Sequence, residues 1–206
     1  MPRISAISPQ KNGKRVNIYL DGKFGFGIDL ENYVTLGLKV ESELTDEKVK
    51  EIIKKAEFQK TLEKILKFAT LRPRSEREVR GWLKRKKVHE SLHKDLFDRL
   101  NRLDLIDDRR FADWWVEQRN SFKPRGKKAL EMELRVKGIK KETIDKVLIN
   151  LKIDEVKVAR KLLEKKAYRW VGLSDLKKRQ KMSQYLARKG FSWDIINQII
   201  PDFYEA

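Results

Sequence analysis

One stretch of this chain has the spacing of a catalytic motif. His89-Glu90-Ser91-Leu92-His93 fits H-E-x-x-H, in which two imidazoles on one helix face hold zinc and the intervening glutamate acts as base. That chemistry needs a third ligand, and the chain has only two His and no Cys. The internal repeat described below also sets His89 in a turn between helices and His93 at an apolar helix position, so packing and turn roles are expected and a zinc hydrolase is not. Asp107-Asp108 could form an acid/base or metal-binding pair. The pair precedes Phe111, Trp114 and Trp115, so one carboxylate is expected to cap a new helix and the other to meet its dipole. Trp114 and Trp115 could stack on nucleic-acid bases, but Trp115 joins Phe111 at i,i+4 and at least one ring should be core. Gly22, Gly25 and Gly27 have no Lys-Ser or Lys-Thr after them and interleave with strand aromatics, which argues against a phosphate loop. No catalytic residue, metal or cofactor is expected.

The basic runs are better candidates. Lys84, Arg85 and Lys86, then Arg135 with Lys137, then Arg188-Lys189 recur at one position of the repeat and would line one edge of a regular array. Arg125, Lys127 and Lys128 cluster at a helix N-terminus, where N–H groups attract anions. Lys177-Lys178-Arg179 and Lys181 extend the field, and Arg74 and Arg77 complete the candidate binding set. The competing role for each is compensation of a helix dipole and solubility. The chain as a whole carries 49 Lys and Arg against 31 Asp and Glu in 206 residues, a formal charge of +18, which attracts a polyanion or an acidic surface. Residues 1–59 hold 10 basic and 9 acidic side chains, leaving 39 and 22 for residues 60–206. A small neutral unit therefore precedes a basic body. No Arg or Asn can be assigned to a DNA groove, so sequence-specific readout is unsupported.

The elements that must carry these residues are legible. Val16, Ile18 and Leu20 alternate, as do Phe24, Phe26 and Ile28, between Asn12-Gly13 and Asp21-Gly22, dipeptides suited to tight hairpin turns. Ile4 and Ile7 predict a first, weaker strand. A short helix over 31–36 ends at Gly37, and a second begins at Thr45 with Asp46 and Glu47 in its first turn. From residue 60 the pattern is helical and repeats. Leu83, Leu134 and Leu186 align at steps of 51 and then 52 residues, and Leu96, Phe97 and Leu100 align with Val147, Leu148 and Leu151 and with Ile199, Ile200 and Phe203. Such a unit holds three short helices. The expected fold is mainly α, with tandem three-helix repeats in an elongated curved array and a small β-rich N-terminal unit: 1–59, then modules 60–107, 108–153 and 154–206. Ser75 with Glu78 reads as a capping box. Gly138 and Gly190 stand where helices need a left-handed exit. Lys87 holds the equivalent place in the first module, and the strain there is on the order of 1 kcal/mol. Apolar runs are as short as Val147-Leu148-Ile149, and Met1-Pro2-Arg3 leads into no secretory core, so a cytoplasmic protein without a membrane span is expected.

The combined spacing of Arg72, Arg74-Ser75, Glu78 and Leu83, Ile106-Asp107-Asp108, Phe111-Ala112, Arg119, Gly126, Glu133-Leu134 and Lys137-Gly138-Ile139 resembles the RecX family of recombination regulators. It covers roughly residues 68–140, and the third module joins through the internal repeat. Val79 stands where the family favours Leu and Lys87 where it favours Gly. The resemblance implies a helical crescent, not an enzyme, that binds the RecA recombinase filament. It further implies that the protein lowers RecA's ATPase and strand-exchange activities in recombination and DNA repair. DNA, single- or double-stranded, is a second expected partner, and a monomer is expected. The alternative is a direct DNA-binding or architectural protein of helical modules.

Overall fold

The computed structural model describes residues 1–11, 13–151 and 153–202, the Asp202 side chain excepted. Asn12 of the expected first turn and Phe203 of the repeat lie outside these residues. Among the described residues the fold is mainly helical, with one small antiparallel sheet at the N-terminus. The chain divides into two compact units: residues 1–72 with 85–103, and residues 73–84 with 104–206.

In the first unit, β1 (Ile4–Pro9), β2 (Arg15–Leu20) and β3 (Lys23–Asp29) pair in sequence order. Asp21 (φ 49°) and Gly22 (φ 79°) both turn left-handed between β2 and β3, as the Asp-Gly pair predicts. Ile4, Val16, Ile18, Phe26 and Ile28 form the buried face. The expected alternation fails at Phe24, which is 61% exposed. The register shifts between Ile18 and Tyr19, so Ile18 faces Phe26 while Tyr19 faces Phe24, and the extra residue at Gly25 puts Phe24 on the other side. There its ring meets Tyr19 edge-on at 6.1 Å. Asp29 caps α1 (Leu30–Thr35) by accepting the Asn32 N–H. Thr45 does the same for Lys48 at the start of α2 (Asp46–Thr70), whose Ile52 and Ala56 pack under the sheet. This helix passes unbroken through position 59, where the charge pattern places a boundary. A short 3-10 turn (Glu90–Leu92) and α4 (His93–Arg102) complete the unit.

The second unit contains α3 (Glu76–Arg85) as far as Lys84 and two successive three-helix groups. In the first group, α5 (Asp108–Phe122), α6 (Lys127–Val136) and α7 (Lys141–Asn150) enclose Phe111, Val116, Leu130, Leu134, Ile144 and Val147. In the second, α8 (Glu155–Glu164), a 3-10 turn (Ala167–Trp170), α9 (Asp175–Arg188) and α10 (Trp193–Asp202) enclose a separate core around Leu163, Trp170, Leu186 and Ile199.

The sequence repeat is a burial repeat. Leu83, Leu134 and Leu186 are each 0% exposed, and Leu96, Val147 and Ile199 are buried as well. The helix exits obey the same register: Lys87, Gly138 and Gly190 have φ values of 52°, 84° and 84°. The first is a lysine in a region that disfavours side chains bearing a Cβ.

Candidate functional site

The second unit holds two junctions built on one plan. In the first, Ser75 caps α3: its Oγ accepts the Glu78 N–H at 3.2 Å and donates to the Lys137 carbonyl at 3.0 Å. The next amide, of Glu76, donates to Asp108 Oδ1 at 2.9 Å. In the second, Gly126 caps α6, and its N–H donates to the Lys189 carbonyl at 2.9 Å. The next amide, of Lys127, donates to Glu155 Oε1 at 2.9 Å. Ser75 and Gly126 are repeat partners, as are Lys137 and Lys189, while Asp108 and Glu155 are the first residues of α5 and α8. Each group thus presents the end of one helix and the leading carboxylate of another to the N-terminus of the helix before it. Otherwise unpaired amides at that N-terminus are satisfied across the junction rather than by water.

Two glycines make the approach close enough. A Cβ on Gly126 would lie 2.3 Å from the Gly190 carbonyl oxygen, and one on Gly138 would lie 2.8 Å from the Arg77 side chain. Asp107 and Asp108 divide their work as their positions predict. Asp107 Oδ1 accepts the Arg109 and Arg110 amides at 2.8 and 3.0 Å, capping α5. Asp108 opens the helix and also reaches α3. Burial pushes the Asp108 carboxyl above its ordinary range, with Glu76 and Asp107 adding to the rise, against the opposing hydrogen bond from the Glu76 amide.

Around the first junction charges alternate. Glu78 lies 3.8 Å from Arg74 and 2.9 Å from Lys137. The Lys137 ammonium sits 4.6 Å from the centre of the Trp115 ring, and the Arg119 guanidinium sits 4.5 Å from the same ring. Glu133 Oε2 accepts from Trp115 Nε1 at 2.8 Å and from Arg119 Nε at 2.6 Å. Its other oxygen faces Arg125 Nε at 3.7 Å. Trp115 also stacks on Phe111, with centroids 5.8 Å apart. Both its ring and its N–H are engaged inside the protein.

The second junction differs. Ala129 stands at the repeat position of Glu78, and Arg125 at that of Arg74. Lys189, the counterpart of Lys137, has its ammonium 5.6 Å from the centre of the Tyr185 ring. Burial holds the Lys189 pKa below the usual lysine range, and Arg125 and Lys166 push it further down. Burial raises the Tyr185 phenol, which Arg169 and Arg125 partly oppose. Arg125 Nε is buried without a hydrogen-bond partner among the described residues.

The sequence-derived candidates therefore occupy different settings. Arg77, Lys84, Arg85, Lys86, Lys128 and Arg188 are exposed, while Arg125, Lys127 and Lys189 are half-buried at the second junction. Arg74 is 7% exposed and faces Glu78, so its charge is directed inward. His89 accepts the Ser91 amide through Nδ1 at 3.3 Å, and His93 Nε2 lies 3.0 Å from the Val88 carbonyl. Sequence reasoning missed the network of Glu78, Trp115, Arg119, Glu133 and Lys137. The signal lay in the register, because the acidic Glu78 is replaced by Ala129 one repeat later.

Comparison with known proteins places this architecture. Residues 2–45 match the regulatory protein RecX N-terminal domain, residues 107–148 the second three-helix domain of RecX, and residues 153–200 the third. The chain is 35% identical to regulatory protein RecX of Bacillus licheniformis over 204 residues, covering 98% of this chain and 78% of that protein. The chain belongs to the RecX family. The Bacillus subtilis regulatory protein RecX is also 35% identical, over 96% of this chain and 75% of its own length. A crystal structure of regulatory protein RecX superposes with a TM-score of 0.72 at 28% identity, covering 97% of this chain and 98% of that one. The structure of RecX from Lactobacillus salivarius superposes at 0.63 and 30% identity, covering 73% of this chain and 98% of that one. These relatives are named regulatory proteins. Several of the residues that carry the RecX resemblance, among them Ser75, Glu78, Asp108, Gly126, Lys137 and Gly138, make the junction contacts. Among the described residues no helix is long and apolar enough to cross a membrane.

Proposed function

We propose that this RecX-family chain binds the RecA nucleoprotein filament and regulates it without catalysing a reaction, lowering ATP hydrolysis and strand exchange in recombination and DNA repair in the cytoplasm. The observation that carries this reading is the relationship to regulatory protein RecX over 98% of the chain. The surface supports it. Arg77, Lys84, Lys128 and Arg188 are exposed on the second unit, and a chain of charge +18 is drawn to acidic protein faces and DNA phosphates. The three modules 60–107, 108–153 and 154–206 act as successive docking units, and the protein works as a monomer. Affinity that differs between filament states biases the filament toward the state that turns over less nucleotide.

The test compares binding of the full chain to naked DNA, to RecA alone and to assembled filament at matched salt, while RecA's ATPase is followed. Filament binding tighter than DNA binding, with ATPase falling as sites fill, is the expected result. Unchanged ATPase at saturation overturns the reading, and equal affinity for naked and coated DNA makes the protein an architectural DNA binder. A Lys128→Glu, Arg188→Glu double variant loses at least tenfold in filament affinity and keeps its helical circular dichroism.

A further inference from the structure

Between residues 165 and 181 the chain carries seven basic side chains against a single acidic one, Asp175, and that carboxylate lies 3.5 Å from Lys178. The same stretch turns large apolar side chains outward: Tyr168, Val171 and Leu176 are 66%, 79% and 80% exposed. An exposed aromatic set among cations adds little to a core and is the kind of surface on which bases stack. Local structure holds Tyr168 in place. Within its 3-10 turn (Ala167–Trp170) the Arg169 amide donates to the Lys166 carbonyl at 2.9 Å. The next residue, Trp170, is buried in the core of the second three-helix group and meets Tyr185 edge-on at 5.9 Å. The Leu173 amide then returns to the Trp170 carbonyl at 3.3 Å, past Gly172 at φ 80°. The Tyr168 hydroxyl accepts from Arg169 Nε at 3.3 Å, and the guanidinium carbon sits 5.9 Å from the ring centre. That hydrogen bond, with the charges of Lys166 and Arg169, holds the phenol below its ordinary range. The polar end of the ring is tethered while most of its surface faces solvent. Trp115, by contrast, has both its ring and its N–H engaged inside the protein.

We infer that Tyr168, flanked by Lys166 and Arg169, is a binding platform for single-stranded nucleic acid, on which an unpaired base lies against the ring while adjoining phosphates meet the two cations. The chemistry of the surface selects this ligand. A nucleic-acid strand offers one flat base and one anionic phosphate per nucleotide, and residues 165–181 interleave exposed apolar side chains with cations and only one carboxylate. A duplex hides its base faces in its own stack, so it engages the cations but leaves the ring unused. An acidic protein segment satisfies the cations too, yet carries no repeated flat group for a tethered ring to receive. Because the ring is already fixed in its turn, stacking on it costs little side-chain freedom. The inference goes beyond the filament reading: it assigns a nucleic-acid contact to named residues of this chain, and its decisive arm needs no recombinase.

The test measures binding of the full chain, by fluorescence anisotropy at matched salt, to a labelled oligothymidylate and to a blunt duplex of the same length. Tyr168→Ala is expected to lose at least about fivefold in affinity for oligothymidylate, the worth of one stacked base, and less than about twofold for the duplex. Tyr168→Phe and Tyr168→Trp keep a ring and should bind oligothymidylate within about twofold of the wild type. A Lys166→Gln, Arg169→Gln double variant should lower the salt slope of oligothymidylate binding by about 1.4, the signature of two single-strand phosphate contacts. Since Tyr168 is exposed, its Ala variant should melt within about 2 °C of the wild type, so a loss of binding is not a loss of fold. Oligothymidylate affinity of Tyr168→Ala equal to that of the wild type overturns the platform. An equal loss on the duplex overturns it in favour of a phosphate contact alone, and a loss in Tyr168→Phe as large as in Tyr168→Ala overturns it because the hydroxyl, not the ring, then carries the contact. A Tyr168→Ala loss seen on RecA alone, with oligothymidylate binding intact, overturns it in favour of an acidic protein face. Wild-type protein that leaves oligothymidylate unbound overturns it outright. The regulator reading fails on a different result, an unchanged RecA ATPase.

Discussion

The two junctions of the second unit share a backbone and differ in electrostatics. Both bring a helix-end carbonyl and a leading carboxylate of the following group to the N-terminus of one helix; the carboxylate accepts a backbone amide at each, while the carbonyl accepts the Ser75 hydroxyl at the first and the Gly126 amide at the second. The first adds a serine hydroxyl and an alternating run of charged side chains around Trp115, so its cations are neutralised inside the protein. The second closes backbone to backbone at Gly126, pairs Arg125 with Glu133 at 3.7 Å and sets the Lys189 ammonium against the Tyr185 ring. Geometry repeats because hydrogen bonds and close packing allow few ways to seat one helix end on another. Charge is free to vary because side chains beyond that contact are not fixed by it.

The hardest blow to this comparison is a Cβ in the wrong junction. Gly126→Ala is expected to cost about 3 kcal/mol in urea unfolding, since the added carbon would press on the backbone of Gly190 and Phe191. Ser75→Gly, the reciprocal change, should cost about 1 kcal/mol, the worth of one cap and one hydrogen bond. Equal costs would mean that the two sites are not built alike in backbone and unlike in approach. Glu78→Gln should cost about 2 kcal/mol by removing the charge facing Arg74 and Lys137, which are less than a third exposed. Its salt dependence should be slight.

Smaller effects sharpen the picture. Lys87→Gly should raise stability by about 0.5–1 kcal/mol, relieving the left-handed strain that Gly138 and Gly190 avoid, less the entropy lost by adding a glycine. The smallest concerns pH. Because the folded-state pKa of Asp108 is raised, its contribution to stability grows as pH falls through the carboxylate range and is lost as pH rises past the folded value. The wild type should therefore gain on Asp108→Asn by less than about 1 kcal/mol between pH 7 and pH 4. A gain in the opposite direction would show that the Glu76 hydrogen bond outweighs burial.

Several features were legible in particular residues. Asp21-Gly22 specified its hairpin, Thr45 the start of its helix, the Asp107-Asp108 pair a cap, and Leu83, Leu134 and Leu186 the period of burial. Lys87 in place of glycine announced its positive φ. Other features were not legible. Phe24 keeps the spacing of a core residue, yet a bulge one position away turns it out to solvent, and no local preference encodes such a bulge. Arg74 looks like any basic surface residue until Glu78 is seen beside it. Position 59 marks a change in composition, which a 25-residue helix is under no obligation to respect.

The sequence alone determined which positions are apolar, where helices start and stop, and that one plan is used repeatedly, because those properties reside in single residues and their spacing. Tertiary structure decided which cations are spent internally and which face outward, since a charge is neutralised only by what folding brings within a few ångströms. That is why Lys137 and Lys189, indistinguishable as letters one repeat apart, end up in opposite electrostatic circumstances.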